Sequence, residues 1–252
     1  GDEALKLVRA GIFDESTDFT DEISYAELSE AVEKLTDSTN RSVENKRTFF
    51  VLGDSLTEAY GPSSSTKGWP EFIENYFTGN MALTNYGIAG INTGTYFNSA
   101  HVRAPGYYNK MITSVRKGDY VVIALGTNDS TLWGWGDMTK DQSRANYYRL
   151  ISEIRAQGGI PVLVGPVGRN ETDEDGNYKE SDPDIIPVMQ SVNETYGVNV
   201  PIINFKDVSF DRLSAMTAAE RSEFYIDSVH YRAKGANMVA SWFEELVLVS
   251  DE

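Results

Sequence analysis

From residue 46 onward, continuous apolar runs alternate with stretches of helical spacing. Thr48-Phe49-Phe50-Val51-Leu52 is a short β-rich run that ends at Gly53. Ala82-Leu83-Thr84-Asn85-Tyr86 is a second, weaker one, and Tyr120-Val121-Val122-Ile123-Ala124-Leu125 is the strongest. Ile160-Pro161-Val162-Leu163-Val164 and Val200-Pro201-Ile202-Ile203-Asn204 follow. Between them, Tyr147, Leu150, Ile151 and Ile154 recur at spacings of a helix face, and a last helix is expected from Lys234 to about Leu248. Strands that are apolar throughout need cover on both faces, so the pattern predicts an α/β fold with a parallel sheet between helical layers. In such sheets the ligand sits beyond the carboxyl ends of the strands.

Residues 1 to about 45 read differently. Twelve acids stand against four bases there, a contribution of −8 and half of the whole chain's −16. Leu5, Val8 and Ile12, then Ala26, Leu28, Ala31, Val32 and Leu35, form two apolar stripes, and Ser24 with Glu27 has capping-box spacing. The expectation is an acidic helical extension (1–45) packed on a main domain (46–252). The alternative is a partial attachment module, because Gly11-Ile12-Phe13 through Phe19 and Tyr25-Ala26-Glu27-Leu28 resemble part of a surface-layer homology repeat.

Charge and composition narrow the function. A net charge of −16 argues against nucleic acid and against anionic membrane surfaces, both of which select clustered Lys and Arg. No apolar stretch approaches the roughly 18 residues of a membrane span. The chain has no cysteine, which removes disulfides, thiol nucleophiles and thiolate metal sites together. No cofactor or metal is expected. Gly at position 1 in place of Met is expected of a mature form or an excised piece. A secreted or cell-surface bacterial location is the expectation, with membership of a larger multi-domain protein as an option.

The candidate chemistry falls where strands end. Gly53-Asp54-Ser55-Leu56-Thr57 follows the first strand, Asn85-Tyr86-Gly87-Ile88-Ala89-Gly90 the second, Gly126-Thr127-Asn128-Asp129 the third, and Asp227-Ser228-Val229-His230 precedes the last helix. A serine needs a base within hydrogen-bond reach to become a nucleophile, and the imidazole titrates near neutrality. Of the two histidines, His101 has Arg103 as its nearest charged neighbour, whereas His230 has a carboxylate three residues earlier. Asp227 is placed to fix the His230 tautomer and to stabilise the imidazolium. Acyl transfer also needs donors for a developing oxyanion. Candidates are the Ser55 N–H, if Ser55 opens a helix, the Gly90 N–H, and the Asn128 side-chain amide. Any one of these motifs alone is more often a turn, a cap or a surface pair; their order on strand-end loops makes the set informative.

The four blocks Gly53-Asp54-Ser55-Leu56, Gly87-x-x-Gly90, Gly126-x-Asn128-Asp129 and Asp227-x-x-His230 resemble those of the GDSL/SGNH hydrolases, across residues 47 to about 245. The resemblance implies a flavodoxin-like three-layer sandwich with a five-stranded parallel sheet. It implies Ser55 as nucleophile, Asp227–His230 as base pair, and Ser55, Gly90 and Asn128 as oxyanion donors, with Asp54 and Asp129 bracing loops. Ala89 through Phe97 and Lys117 through Ile123 are similar to the rhamnogalacturonan acetylesterase branch, although Thr127 stands where that branch commonly has His.

The expected activity is hydrolysis of small acyl esters, O-acetyl above all, on an acetylated carbohydrate. The acidic chain suits a neutral polymer such as xylan better than pectin, unless Arg103, Lys110 or Lys67 form a basic patch. Trp133 and Trp135, amid glycines in an expected loop, and Tyr96 near Gly90 are candidate substrate contacts together with Asp54; Trp69 is expected in the core. The alternatives are a lipolytic or thioester hydrolase with the same triad, or a non-catalytic carbohydrate or cell-wall module. An ordinary α/β-hydrolase is disfavoured because position 57 is Thr, not the second Gly of G-x-S-x-G.

Overall fold

The structure is a computed structural model that describes residues 48–76, 82–97 and 106–248. The expected extension over residues 1–45 lies outside the described residues, as do His101 and Arg103. The strands are β1 (Thr48–Gly53), β2 (Ala82–Asn85), β3 (Tyr120–Ala124), β4 (Ile160–Val164) and β5 (Ile202–Ile203), all parallel, in the order β2-β1-β3-β4-β5. The helices are α1 (Tyr107–Ser114), α2 (Thr127–Trp135), α3 (Lys140–Ala156), α4 (Ile185–Tyr196), α5 (Phe205–Ser214), α6 (Ala218–Ser222) and α7 (Ala233–Leu248). Two 3-10 turns, Trp69–Asn75 and Thr95–Phe97, complete the regular elements among the described residues.

Side chains alternate across β1, and each set has its own helical cover. Phe49 and Val51 share a core with Val122, Val164, Trp69, Ile73 and the α7 residues Val239, Trp242 and Phe243. Phe50 and Leu52 share the other with Val121, Ile123, Met111 of α1, Leu150, Ile151 and Ile154 of α3, and Ile185 of α4. This is the expected flavodoxin-like sandwich.

β5 is shorter than the expected Val200–Asn204. Pro201 has no N–H for the ladder, although its carbonyl still accepts from Leu163 N–H at 2.9 Å. Asn204 instead caps α5, its side chain accepting from Asp207 N–H at 3.3 Å. Among the described residues no helix is long and apolar enough to cross a membrane.

The strand order sets the site. From β1 the chain moves outward to β2, and from β3 it moves the other way to β4 and β5. The crevice beyond the carboxyl ends of β1 and β3, where the winding reverses, is the place for a ligand. Ser55 follows β1 and Asn128 follows β3.

Candidate active site

Ser55 lies in a tight turn after β1, so the condition of a helix start at Ser55 is not met. Thr57 and Glu58 N–H both donate to the Asp54 carbonyl, at 3.0 and 3.1 Å, and Asp54 Oδ1 accepts from Leu56 N–H at 3.0 Å. Those turn bonds leave out the Ser55 N–H. The Tyr60 hydroxyl donates to the Ser55 carbonyl at 2.9 Å. The Thr57 hydroxyl donates to the Asp54 carbonyl, and Gly87 packs so closely on this turn that a Cβ there would lie 2.4 Å from Thr57 Oγ1.

Asp54 itself is buried beneath the turn, so it is a brace and not a surface for substrate. Burial pushes its carboxyl up to about 7; the Leu56 N–H bond opposes the rise and the Asp129 charge adds to it.

His230 arrives from the far end of the chain. Its loop is pinned at both ends by buried tyrosines, Tyr225 and Tyr231, whose rings sit 5.5 Å apart. The Tyr225 hydroxyl donates to the Gly168 carbonyl at 2.6 Å, and Ile226 N–H closes the loop on the His230 carbonyl at 2.8 Å. Within it Asp227 Oδ1 accepts from Val229 and His230 N–H, each at 2.7 Å, and Oδ2 lies 2.8 Å from His230 Nδ1. Desolvation works against the Asp227 charge. The backbone donors of His230 and Val229 and the imidazole outweigh it, holding the carboxyl below its ordinary value. His230 Nε2 is 2.9 Å from Ser55 Oγ. The three side chains therefore form one line of hydrogen bonds, with the carboxylate at one end and the hydroxyl at the other.

Gly90 is exposed and has φ +79°, a left-handed conformation in which glycine is at ease. Its neighbours are engaged: Ala89 N–H donates to Glu58 Oε2, and Ile91 N–H to the Ile88 carbonyl at 3.2 Å. Asn128 stands in the first turn of α2 and gives one amide N–H to the Ile91 carbonyl at 2.6 Å, which ties it to the Gly90 loop and leaves its second N–H for another acceptor. Asp129, fully buried, accepts from Thr93 N–H at 3.0 Å, from the Thr93 hydroxyl, and from Ser143 Oγ at 2.8 Å.

Three expectations about aromatic residues need correction or refinement. Trp133 and Trp135 belong to helix α2, not to a loop; the helix runs on until Gly136 at φ +80°. Trp133 is partly buried and its Nε1–H donates to Ser143 Oγ at 3.0 Å, so it braces the Asp129 network, whereas Trp135 is 72% exposed. Tyr96 is a core residue, 2% exposed, with its hydroxyl on the Tyr86 carbonyl at 2.9 Å. Trp69 is in the core, as expected. Lys67 is engaged with Glu71 at 3.6 Å and with the Gly61 carbonyl, and Lys110 lies over the Tyr107 ring, so neither builds a basic patch.

Supporting residues outside the four blocks include Thr93, Ser143 and the buried Arg221. The Arg221 guanidinium donates to the Met216 carbonyl at 2.6 Å and to Asn170 Oδ1 at 3.2 Å, while Asn170 N–H donates to the Ser228 carbonyl at 2.7 Å. Thr93 falls within the Ala89–Phe97 stretch but carries no marked role there, and Ser143 and Arg221 lie in no motif. Among the described residues no group of three or more His, Cys, Asp or Glu side chains is arranged to hold a metal ion.

The pattern of the GDSL-like lipase/acylhydrolase family matches residues 51–238, and the chain belongs to that family, a class of carboxylic ester hydrolases. Among its relatives, the "Probable rhamnogalacturonan acetylesterase YesY" of Bacillus subtilis is 24% identical over 209 residues, 79% of this chain and 93% of that protein. The crystal structure of YxiM from Bacillus subtilis matches with a TM-score of 0.67 and 20% identity, covering 78% of this chain and 55% of that one. This chain thus spans about half the length of that relative. Axe2, an acetylxylan esterase from Geobacillus stearothermophilus, matches with a TM-score of 0.56 and 17% identity, over 81% of this chain and 95% of that one. At such identities the structural likeness establishes the SGNH hydrolase fold.

Proposed function

We propose that this protein removes O-acetyl groups from a carbohydrate by way of an acyl-enzyme, with Ser55 as nucleophile, His230 as general base and Asp227 as the group that orients and stabilises it. The observation that carries the reading is the unbroken contact line, Ser55 Oγ to His230 Nε2 at 2.9 Å and His230 Nδ1 to Asp227 Oδ2 at 2.8 Å. Ser55 Oγ attacks the ester carbonyl as Nε2 takes its proton, and the sugar hydroxyl leaves with that proton. Water then attacks the acetyl-serine, again deprotonated by His230, and acetate departs. The Gly90 N–H, the free amide N–H of Asn128 and the Ser55 N–H are the donors assigned to the oxyanion.

One feature of the chain itself supports a neutral sugar. The net charge of −16 disfavours a polyanionic backbone. Relatives named as rhamnogalacturonan and acetylxylan esterases agree with a carbohydrate ester. The test compares acetate release from acetylated xylan and acetylated rhamnogalacturonan with hydrolysis of p-nitrophenyl acetate and octanoate. Faster release from the xylan and preference for acetate over octanoate are expected. Preference for octanoate with no acetate from either polymer would instead support the lipolytic reading.

A further inference from the structure

Helix α2 carries Asn128 in its first turn and the exposed Trp135 at its last residue. Facing it is the segment after β4, which runs out into a short hairpin closed by the Thr172–Tyr178 bridge. The base of that hairpin is fixed on every side. Asn170 N–H holds the Ser228 carbonyl at 2.7 Å, beside Asp227 and His230. Gly168 N–H donates to Ser209 Oγ and Arg169 N–H to Ser181 Oγ, both at 2.8 Å. The Arg169 guanidinium grips Asp182 with two bonds, at 2.8 and 3.0 Å. Between the helix and this segment lies a cleft of about 460 Å³. That volume is within the roughly 300–1,000 Å³ common for small-molecule sites. One wall is the helix that carries Asn128, and the other is tied by Asn170 to the loop that carries Asp227 and His230.

We propose that this cleft is a subsite for a neutral sugar unit of the glycan chain whose ester lies at Ser55. A pyranose has an apolar C–H face and a rim of hydroxyls. The Trp135 indole offers a flat face for the first, and Ser130, Thr131, Glu171 and Lys179 offer donors and acceptors for the second. The charges favour a neutral ligand: Arg169 is committed to Asp182 and Glu180 to Lys206, which leaves Glu171 and Lys179 to offset one another. Trp135 is seven residues beyond Asn128 on one helix, about 10 Å along its axis. A ligand that touches Trp135 with its ester at Asn128 is therefore an oligosaccharide and not a single sugar. The inference rests on the carbohydrate-ester reading.

The experiment has two arms. In the first, kcat/KM is measured for wild type, Trp135→Ala, Trp135→Phe and Lys179→Ala on acetylated xylo-oligosaccharides and on p-nitrophenyl acetate. The ratio of the two values is expected to fall about tenfold in Trp135→Ala, through KM, with most of it kept in Trp135→Phe. A ratio equal to wild type in both Trp135→Ala and Lys179→Ala would overturn the subsite. In the second arm, wild type is titrated with unacetylated xylohexaose, read by tryptophan fluorescence, with oligogalacturonate as comparison. Saturable quenching by xylohexaose that Trp135→Ala loses supports the proposal. No quenching, an equal response in Trp135→Ala, or a response to oligogalacturonate alone overturns it. Xylohexaose binding without acetate release from any glycan would leave the subsite standing and remove the carbohydrate-esterase reading.

Discussion

Asp129 and Thr93 are joined twice, the carboxylate accepting the Thr93 N–H at 3.0 Å through Oδ2 and the Thr93 hydroxyl through Oδ1. The pair locks the start of α2, and with it Asn128, to the loop that carries Gly90. Ser143 Oγ adds a third donor, itself held by Trp133. Asp129→Ala would strip three buried donors of their acceptor. It is expected to lower stability by about 3 kcal/mol or more, a fall in Tm of roughly 6–12 °C for a domain of this size, and to reduce kcat. A thermal melt within 2 °C of wild type, roughly the shift of a surface substitution, would contradict it.

The raised Asp54 carboxyl gives stability a definite pH dependence. Its folded value of about 7 lies above the ordinary 3.8, so the folded protein keeps a proton that the unfolded chain releases. The corresponding stabilisation is complete below pH 4 and is lost as pH rises through 7, by up to roughly 4 kcal/mol. Asp54→Asn has no such proton, and its unfolding free energy in urea should change less between pH 4.5 and 7.5 than that of wild type. Parallel profiles for the two proteins would remove this assignment.

Asp227 works in the opposite direction. Its carboxyl is held below the ordinary value, so its share of stability is present at neutral pH and disappears only as pH falls through that lower value. Held as a carboxylate at neutral pH, it is placed to hold the imidazole. Asp227→Asn is expected to reduce kcat by roughly 10²–10⁴ with little change in Tm, because the side chain is about half exposed. Steady-state rates on p-nitrophenyl acetate, paired with a melt, measure both.

Gly87 tests the packing behind the Ser55 turn. A Cβ at this position would lie 2.4 Å from Thr57 Oγ1 and 2.7 Å from the Glu58 backbone nitrogen, and the latter cannot swing away. Gly87→Ala is expected to cost about 1–3 kcal/mol in urea unfolding and to lower activity by shifting Ser55. A neutral substitution would show that the turn yields more readily than its contacts indicate.

The sheet was legible because its strands are apolar on both faces, a pattern that Phe49 through Leu52 and Tyr120 through Ile123 state without ambiguity. The convergence of Ser55 and His230, 175 positions apart, was legible through their places on strand-end loops, the carboxylate three residues before His230 and the resemblance of their blocks to those of the GDSL/SGNH hydrolases. Helix α2 was not legible: Gly134 and Gly136 suggested a loop around Trp133 and Trp135, and a short rim helix shows no apolar stripe to counter that. Tyr96 follows Gly90 closely in sequence, yet its ring is buried and its hydroxyl donates to the Tyr86 carbonyl. Proximity along the chain does not tell which way a side chain points. The cleft beside Trp135 and the Arg221–Asn170 brace depend on segments from different parts of the chain, and no local pattern marks either.

The most direct measurement is the rate of acetate release by Ser55→Ala relative to wild type, with the fold checked by thermal melting. Removal of Oγ leaves His230 and Asp227 in place but nothing to acylate, so a loss of at least ~10³-fold at unchanged Tm is expected. Turnover within tenfold of wild type would contradict the account, because the hydroxyl beside His230 would then not be the group that reacts.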